Sequence, residues 1–493
     1  MKNLKEKTIR GGVARLASQA ANFLLRLVSL MVLARLLGPA DFGLVNMVTV
    51  FTGVLTMFQH FGLSSAAVQQ THLSEEQSST LFWINLAVGV VVGVVAVALA
   101  PAVAAFYHEP RLFWVTIISA SAFVFNAAGV QHSALLQRQM RFTALALTNT
   151  VALVVGSSVA IVGAKLGYGY WALVAMTVTL PVVTTLGLWM VTAWVPGLPH
   201  RRSGIRSMMR FGGTLTLNGV VMYIASNFDK LLLGRYWGVD AIGIYGRAYQ
   251  LINIPTDNLN SAAGDVAFSA LSRIKDDPPR LRSYFLKGYS LVLAMTLPIT
   301  LACAFFAGDV VRVLLGAKWM AAAPIFRWLA PTILAFAVLN PLGWLLSALG
   351  LVGRGLKIAL VLAPLMIAGY FVGLRFGPEG VALSYSTTML ACLFPLVAWA
   401  VKGTAISVTD IFTTVGKPLA SSIVGALLAS AAHAGLQHVL PPFAMLVIEC
   451  SVLMGVFLGM LFYVMGQKAF YMELLQSLRP GPKVEEKSLV VTA

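Results

Sequence analysis

The feature that most constrains this chain is a succession of apolar segments, each long enough to cross a lipid bilayer. Hydrophobic residues make up 58% of the sequence and charged residues 11%, with a mean hydropathy of +0.82. A membrane-crossing helix needs about 20 apolar residues, and about 14 segments qualify. Because the runs are continuous and lack strand alternation, helices are expected. The predicted segments lie at 11–34, 42–63, 80–100, 112–135, 143–164, 168–193, 211–234, 241–264, 284–307, 324–348, 352–374, 379–401, 418–435 and 443–466.

One stretch of sequence occurs twice. Residues 33–44 and 233–244 each join two apolar segments, and four positions are shared: Leu33, Arg35, Gly38 and Gly43 recur as Leu233, Arg235, Gly238 and Gly243. The repeat continues downstream, where Asn126, Gly129 and Ser133 match Asn340, Gly343 and Ser347. Six segments per repeat, with both ends on one side, indicate parallel repeats of the kind found in alternating-access transporters.

The sequence therefore predicts an all-α integral membrane protein with about 14 transmembrane helices. Two six-helix repeats form an N-lobe at 1–200 and a C-lobe at 201–404, and two further helices occupy 405–466. The remaining residues, 467–493, form a polar cytoplasmic tail that is expected to be disordered.

The net charge of +17 is explained by the positive-inside rule. Basic residues concentrate in alternate loops, for example at Arg201, Arg202 and Arg206 between the sixth and seventh segments. This pattern places both termini in the cytoplasm. The first apolar run is too long for a signal peptide and is expected to be retained. The basic patches lack the aromatic and polar context of a nucleic-acid surface, so the bilayer is the expected partner and no nucleic acid is.

Motifs that would indicate an enzyme are missing from the sequence. It has no nucleotide-binding P-loop, no G-x-S-x-G, no H-E-x-x-H and no Cys-x-x-Cys. Its three cysteines lie in separate apolar segments. We therefore expect no catalytic residue, no metal and no cofactor. A membrane polymerase or ligase would need a large outer loop, which is lacking. His433 and His438 flank a predicted outer loop and are expected to be solvated.

Polar side chains line one face of four segments, the first two of each repeat, and suggest a hydrated cavity between the halves. Arginines in such a cavity favour an anionic substrate, because guanidinium forks match phosphate oxygens. A sugar phosphate fits the accompanying amides and hydroxyls better than a cationic drug does. The alternative is that these groups are hydrogen-bonding glue between helices. The candidate substrate-binding residues are Arg15, Asn22, Arg26, Asn218, Arg247, Gln250 and Asn253.

Two acidic residues are candidates for ion coupling, Asp229 and Asp257, with H+ or Na+ as the coupling ion. Ionisable groups inside a span are costly and are functional candidates by default. Asp229 is adjacent to Lys230, so the two side chains point about 100° apart and are not expected to pair. Asp229 could instead neutralise Arg235 or Arg247, which is the structural alternative.

Several segments resemble those of a known family. Residues 33–45 and 61–70, followed by Tyr245–Pro255, Leu271–Asp277 and Leu315–Trp319, resemble Wzx-type lipid-linked oligosaccharide flippases in the same order. The similarity is strongest to the colanic-acid exporter branch of the multidrug/oligosaccharidyl-lipid/polysaccharide exporter superfamily.

This resemblance implies a flippase that moves undecaprenyl-pyrophosphate-linked repeat units across the bacterial inner membrane, driven by an ion gradient. It would serve exopolysaccharide or lipopolysaccharide synthesis. A polysaccharide polymerase and export machinery are candidate partners. Two alternatives share the architecture: an ion-coupled multidrug exporter and a peptidoglycan-precursor (lipid II) flippase.

Overall fold

The structure is a computed structural model that describes residues 21–59, 74–199, 206–436 and 440–478. In these ranges the chain is helical and contains no strand. Eleven of the described helices are long and apolar enough to cross a membrane. They correspond to the predicted second to sixth and ninth to fourteenth segments. The all-helical, multi-pass architecture is confirmed, and the total of about 14 spans stays a prediction.

The helices up to residue 273 overlap the predicted first to eighth segments, the last two of which are joined in one helix. In chain order they are α1 (21–36), α2 (Pro39–Gln59), α3 (Glu75–Tyr107), α4 (Arg111–Arg138), α5 (Phe142–Lys165), α6 (Tyr170–Thr192) and α7 (Arg206–Arg273).

The second half adds two short helices between its long ones. It comprises α8 (Pro278–Phe305), α9 (Ala307–Leu314), a 3-10 turn (Ala317–Trp319), α10 (Ala322–Leu329), α11 (Pro331–Ala348), α12 (Val352–Leu374), α13 (Gly377–Val401), α14 (Val408–Leu436), α15 (Pro442–Gly459) with a π-helical extension (Met460–Val464), and α16 (Lys468–Leu478).

The start of α3 explains why acidic residues stand at the entrance to a span. The Ser74 hydroxyl accepts a hydrogen bond from the Gln77 backbone N–H, and the Gln77 side chain accepts one from the Ser74 N–H, each at 3.1 Å. This capping box satisfies two free donors of the first turn. Glu75 and Glu76 follow in that turn, where carboxylates interact favourably with the helix dipole.

The predicted seventh and eighth segments lie in α7, which is broken at one residue. Gly238 has φ 81° and ψ −170°, a conformation that strongly favours glycine. Its counterpart in the first repeat, Gly38, separates α1 from α2 and donates its N–H to the Asp41 carboxylate at 2.9 Å. The duplicated stretch is therefore a turn between two helices in both copies.

The chain packs as two compact units. The first contains the described residues of Met1–Asn253, with Ala307–Leu329 and Ala359–Ala391. Its core includes Leu44, Met47 and Leu112. The second contains Ile254–Phe306, Ala330–Ile358 and the described part of Cys392–Ala493. The predicted lobes rest on the sequence duplication, which this packing does not test.

Large apolar side chains remain on the surface of the spans. Val91 and Val94 of α3 are 61% and 63% exposed. Contiguous apolar surface is rare on soluble monomers, and on a helix of this length it is typical of contact with lipid tails.

The last described helix, α16, corrects one expectation. Residues 468–478 are helical rather than disordered. Tyr471 is 6% exposed, and its hydroxyl lies 2.7 Å from the Ser290 hydroxyl of α8. The Lys287 ammonium also lies 3.1 Å from the Glu473 carboxylate. These contacts hold the first part of the tail against α8.

Candidate functional site

The two copies of the duplicated turn meet each other. A Cβ atom added to Gly43 would lie 1.9 Å from the Val239 carbonyl oxygen, and one added to Gly243 would lie 2.0 Å from the Pro39 carbonyl oxygen. These distances are far below contact range, so only glycine fits at either position. The reciprocal pattern gives the contact a local two-fold symmetry. We call residues 39–43 and 239–243 the glycine seam.

A segment that follows α8 and includes the start of the next candidate span packs beside the glycine seam. Residues 307–329, here called the latch segment, contain α9, the 3-10 turn and α10. The indole N–H of Trp319 donates to the Ala34 carbonyl at 2.7 Å, and Trp319 is fully buried. The Arg35 guanidinium donates to the Val313 carbonyl at 3.1 Å. Two of the stretches that carried the family resemblance are thus in direct contact.

Phe42 lies between the latch segment and an arginine of the second repeat. Its ring meets the Trp319 ring edge-on at 5.4 Å between centroids. The Arg247 guanidinium carbon lies 3.9 Å from the centroid of the same Phe42 ring, which is cation–π distance.

The Arg247 side chain is half-buried and incompletely paired. One terminal nitrogen donates to the Gln250 side-chain oxygen. Its Nε–H is buried and, within the part of the chain that the structure describes, has no acceptor. Gln250 itself is exposed. A ligand with oxygen acceptors would complete the hydrogen bonding of this group.

Asp229 is fully buried and is held by neutral donors. Its carboxylate accepts a hydrogen bond from the Tyr245 hydroxyl at 2.7 Å and another from the Lys230 backbone N–H at 2.8 Å. Arg235, one of the partners considered from the sequence, donates instead to the His108 ring at 2.9 Å.

Lys230 points away from Asp229, as the helical rotation between neighbours predicts. Its ammonium donates to the Asn227 side-chain oxygen at 2.8 Å and lies 4.2 Å from the centroid of the Tyr249 ring. The two adjacent side chains therefore contact different groups: Asp229 contacts the Tyr245 hydroxyl, and Lys230 contacts Asn227 and the Tyr249 ring.

Four tyrosines form a cluster beside Asp229 and Lys230, and the sequence analysis did not identify them. The rings of Tyr245 and Tyr249 are stacked at 6.2 Å, Tyr249 and Tyr385 lie 6.5 Å apart, and Tyr370 and Tyr385 lie 5.7 Å apart. Tyr370 is on α12 and Tyr385 on α13, more than 100 residues from Asp229. No local pattern links positions so far apart.

The other predicted binding residues are only partly described. Arg26 is exposed on α1, Asn22 is half-buried one turn earlier, and Asn253 is half-buried beyond Gln250. Arg15 lies outside the described residues, as do the side chains of Asn218 and Asp257. The assignment of these residues to substrate or ion binding stays a prediction.

His438 lies outside the described residues, and the expectation that His433 is solvated is incomplete, because its side chain is 34% exposed but also has a protein partner. Its Nδ1 is hydrogen-bonded to the carboxylate of Glu449, a fully buried residue of α15. A carboxylate in the middle of an apolar span was the available signal, because such a group needs a partner on the neighbouring helix.

An ion pair occupies the loop between α3 and α4. The Arg111 guanidinium makes two hydrogen bonds to the Glu109 carboxylate, at 2.8 and 2.9 Å. These bonds lower the pKa of Glu109 below its ordinary value, with a smaller opposing effect of burial.

A model of the family described as "Polysaccharide biosynthesis protein" matches residues 32–324, more than half of the chain. The chain belongs to the polysaccharide biosynthesis protein family. The match spans both copies of the duplicated turn and most of the latch segment.

Individual members of the polysaccharide biosynthesis protein family and related proteins are similar at moderate identity. Lipopolysaccharide biosynthesis protein WzxC of Escherichia coli (strain K12) is 29% identical over 78% of each chain. Teichuronic acid biosynthesis protein TuaB of Bacillus subtilis (strain 168) is 28% identical over 59% of this chain and 60% of its own. Succinoglycan biosynthesis transport protein ExoT of Rhizobium meliloti (strain 1021) is 25% identical over 69% and 68%. The predicted resemblance to Wzx-type proteins is confirmed.

Solved structures show the fold of this family member independently. Lipid II flippase MurJ in an inward closed conformation superposes with a TM-score of 0.74, covering 95% of this chain and all of MurJ at 15% identity. An inward-facing multidrug resistance MATE transporter of the MOP superfamily gives 0.64 over 82% of this chain and 99% of its own, at 16% identity.

Proposed function

We propose that the chain is a flippase that moves undecaprenyl-pyrophosphate-linked oligosaccharide repeat units across the bacterial inner membrane. The single observation that carries this proposal is its membership in the polysaccharide biosynthesis protein family, with relatives named for lipopolysaccharide synthesis and succinoglycan transport. The fold shared with a lipid II flippase supports the same chemistry, since lipid II is also a saccharide on a lipid.

The arginines are the residues proposed to hold the pyrophosphate. Arg26 is exposed on α1, within the first span predicted from the sequence, where an unneutralised guanidinium is costly unless it faces water or an anion. Arg247 has a buried Nε–H for which an acceptor is lacking among the described residues. Gln250, Asn22 and Asn253 would hydrogen-bond the glycan, and Arg15 and Asn218 would extend the same surface.

Asp229 and Asp257 are proposed to couple transport to an H+ or Na+ gradient by alternating access. The support for Asp229 is its complete burial and its bond to the neutral Tyr245 hydroxyl, which leaves protonation as the simplest way to remove its charge.

Three further assignments belong to this proposal. The protein acts as a transporter and not as an enzyme, it lies in the inner membrane, and both termini are cytoplasmic. The positive-inside distribution of basic residues supports this orientation, in which the glycine seam would lie at the outer side. A polysaccharide polymerase and export machinery are its proposed protein partners.

The experiment that tests the function is deletion of the gene, followed by analysis of surface glycan and of the lipid-linked pool. We expect loss of one surface polysaccharide and accumulation of its undecaprenyl-linked repeat unit on the cytoplasmic side. Intact polysaccharide together with new sensitivity to cationic drugs would favour a multidrug exporter. Failure of cell-wall synthesis would favour a lipid II flippase, the second candidate, which the TM-score with MurJ supports.

A variant of Arg26 tests the proposed site. Arg26→Ala should abolish export while leaving the protein in the membrane at normal level. Arg375→Ala is a matched control, because Arg375 is also exposed but follows α12 near the other predicted outer loops. Normal export by Arg26→Ala would show that Arg26 does not bind the substrate.

A further inference from the structure

Phe42 contacts two groups with different tasks. The Arg247 guanidinium, a proposed pyrophosphate ligand, lies 3.9 Å from its ring centroid. The Trp319 ring of the latch segment packs on it edge-on at 5.4 Å. Phe42 is 2% exposed and is adjacent to Gly43 of the glycine seam. The ring therefore connects the arginine, the seam and the latch segment.

We propose that Phe42 is a positioning residue that links ligand binding at Arg247 to release of the latch segment. An anionic group bound to Arg247 draws the guanidinium off the Phe42 ring. The ring then loses the partner that holds it against Trp319, and the bond between Trp319 and Ala34 at this end of the latch segment opens. This inference rests on the proposed function, because it assumes that the ligand carries phosphate oxygens.

The competition favours the ligand for a physical reason. A guanidinium over an aromatic ring is held by the ring quadrupole alone. Phosphate oxygens offer charge-assisted, bidentate hydrogen bonds, which are the stronger interaction. The Nε–H of Arg247, which has no acceptor in the described part of the chain, would gain one. The interaction of Arg247 with the ligand is therefore expected to be stronger than its cation–π contact with Phe42.

Three polar contacts join the latch segment to Ala34 and Arg35, and the proposed movement concerns this end of the segment and not its buried apolar side chains. The Trp319 N–H to Ala34 carbonyl bond is 2.7 Å long, and the Arg35 and Lys318 contacts are longer, at 3.1 and 3.4 Å. Both Arg35 and Lys318 are exposed, so water can replace their partners at little cost. Trp319 is the one of the three that is buried.

The test measures solvent access to Ala34, the residue that Trp319 of the latch segment contacts. A cysteine is placed at Ala34, which is fully buried, in the full chain with Cys303, Cys392 and Cys450 replaced by alanine. The rate of labelling by a charged, membrane-impermeant maleimide is measured in proteoliposomes. The probe is inorganic pyrophosphate, added at millimolar concentration. Ala429→Cys, also fully buried but in the second unit, reports global unfolding.

We expect three results. Pyrophosphate accelerates labelling of Ala34→Cys, and this acceleration is lost in both Phe42→Leu and Arg247→Gln. Trp319→Phe, which keeps an aromatic ring but loses the N–H and part of the buried indole, labels at least about twofold faster without pyrophosphate. It still responds to pyrophosphate. Labelling of Ala429→Cys stays slow in every variant.

Other results would overturn the link. An undiminished pyrophosphate response in Phe42→Leu would show that the ring does not transmit binding, and no response in the parent chain would show that Arg247 does not control the latch segment. Neither result touches the proposed function, which is judged by the lipid-linked pool in the deletion strain. If that pool is normal while the labelling pattern holds, the link stands and the proposed function falls.

Discussion

Gly43 and Gly243 occupy equivalent places on the two sides of one contact. A side chain on Gly43 would collide with the carbonyl of Val239, and a side chain on Gly243 would collide with the carbonyl of Pro39. The backbones of the two repeats approach so closely there that neither position tolerates even a methyl group. Each repeat has a glycine at this position because each contributes one half of the same close contact.

Alanine substitution in the glycine seam should destabilise the protein. Gly43→Ala and Gly243→Ala each force the backbones apart, at a cost of about 1–3 kcal/mol for overpacking. Thermal unfolding in detergent should show a lower midpoint for both. Gly288→Ala is the matched control: a Cβ there meets nothing within 4 Å, so the midpoint should stay or rise. Equal midpoints for all three variants would contradict the close approach.

Removing the hydroxyl of Tyr245 should expose the dependence of Asp229 on it. Tyr245→Phe leaves one oxygen of a fully buried carboxylate without its donor, which costs about 1–3 kcal/mol of unfolding free energy. Tyr168→Phe, in an exposed turn between α5 and α6, should cost nothing measurable. If ion coupling also passes through Asp229, Asp229→Asn should uncouple transport from the ion gradient. Tyr245→Phe should keep transport coupled and change only the pH dependence of its rate.

Breaking the pair of His433 and Glu449 should be worse than replacing both members. His433→Leu removes a hydrogen-bond partner from a fully buried carboxylate, and leaving such a group unsatisfied costs at least about 1–3 kcal/mol. The double variant His433→Leu with Glu449→Leu should recover most of that loss, because no charge is left behind. A double variant less stable than the single one would mean that Glu449 is held chiefly by other groups.

The pair of Glu109 and Arg111 should contribute a small, acid-sensitive stabilisation. The pKa of Glu109 is lowered in the folded state from an ordinary value of 4.5, so the contribution is present above that pH and is lost as the pH falls through the folded value. A partly exposed pair is worth about 0–1 kcal/mol. Glu109→Gln should therefore lower the midpoint slightly at pH 7, and this effect should shrink as the pH falls below 4.5. Arg111→Gln should give the same pattern, and the two effects should not add.

Truncating Tyr471 should release the last helix. Tyr471 packs in a cluster with Phe457 and Leu461, and removing a buried aromatic side chain typically costs about 3–5 kcal/mol. Tyr471→Ala should lower the thermal midpoint and make 468–478 sensitive to protease. Met472→Ala is the control, since Met472 is 49% exposed.

Features with a local cause could be read from the sequence. Hydropathy located the spans, because burial in lipid requires a long apolar run. The duplicated turn was visible as repeated glycines. The divergence of Asp229 and Lys230 followed from the 100° rotation between helical neighbours.

Features that depend on distant partners could not be read in this way. The Tyr245 bond to Asp229 and the packing of Tyr370 and Tyr385 join helices that only the fold brings together. His433 was misjudged because its partner, Glu449, is on the next helix. The polar tail suggested disorder, yet Tyr471 and Glu473 find partners on α8.

The glycine seam also bears on where the chain came from. In a homodimer with a two-fold axis, residue i of one subunit meets residue j of the other, and j meets i. Gly43 with Val239 and Gly243 with Pro39 follow that rule once 200 is subtracted from the number of the second-repeat residue, so that 43 meets 39 and 39 meets 43. The contact thus has the form of a two-fold subunit interface contained within a single polypeptide, as expected if the duplicated sequence arose by fusion of two copies of one gene.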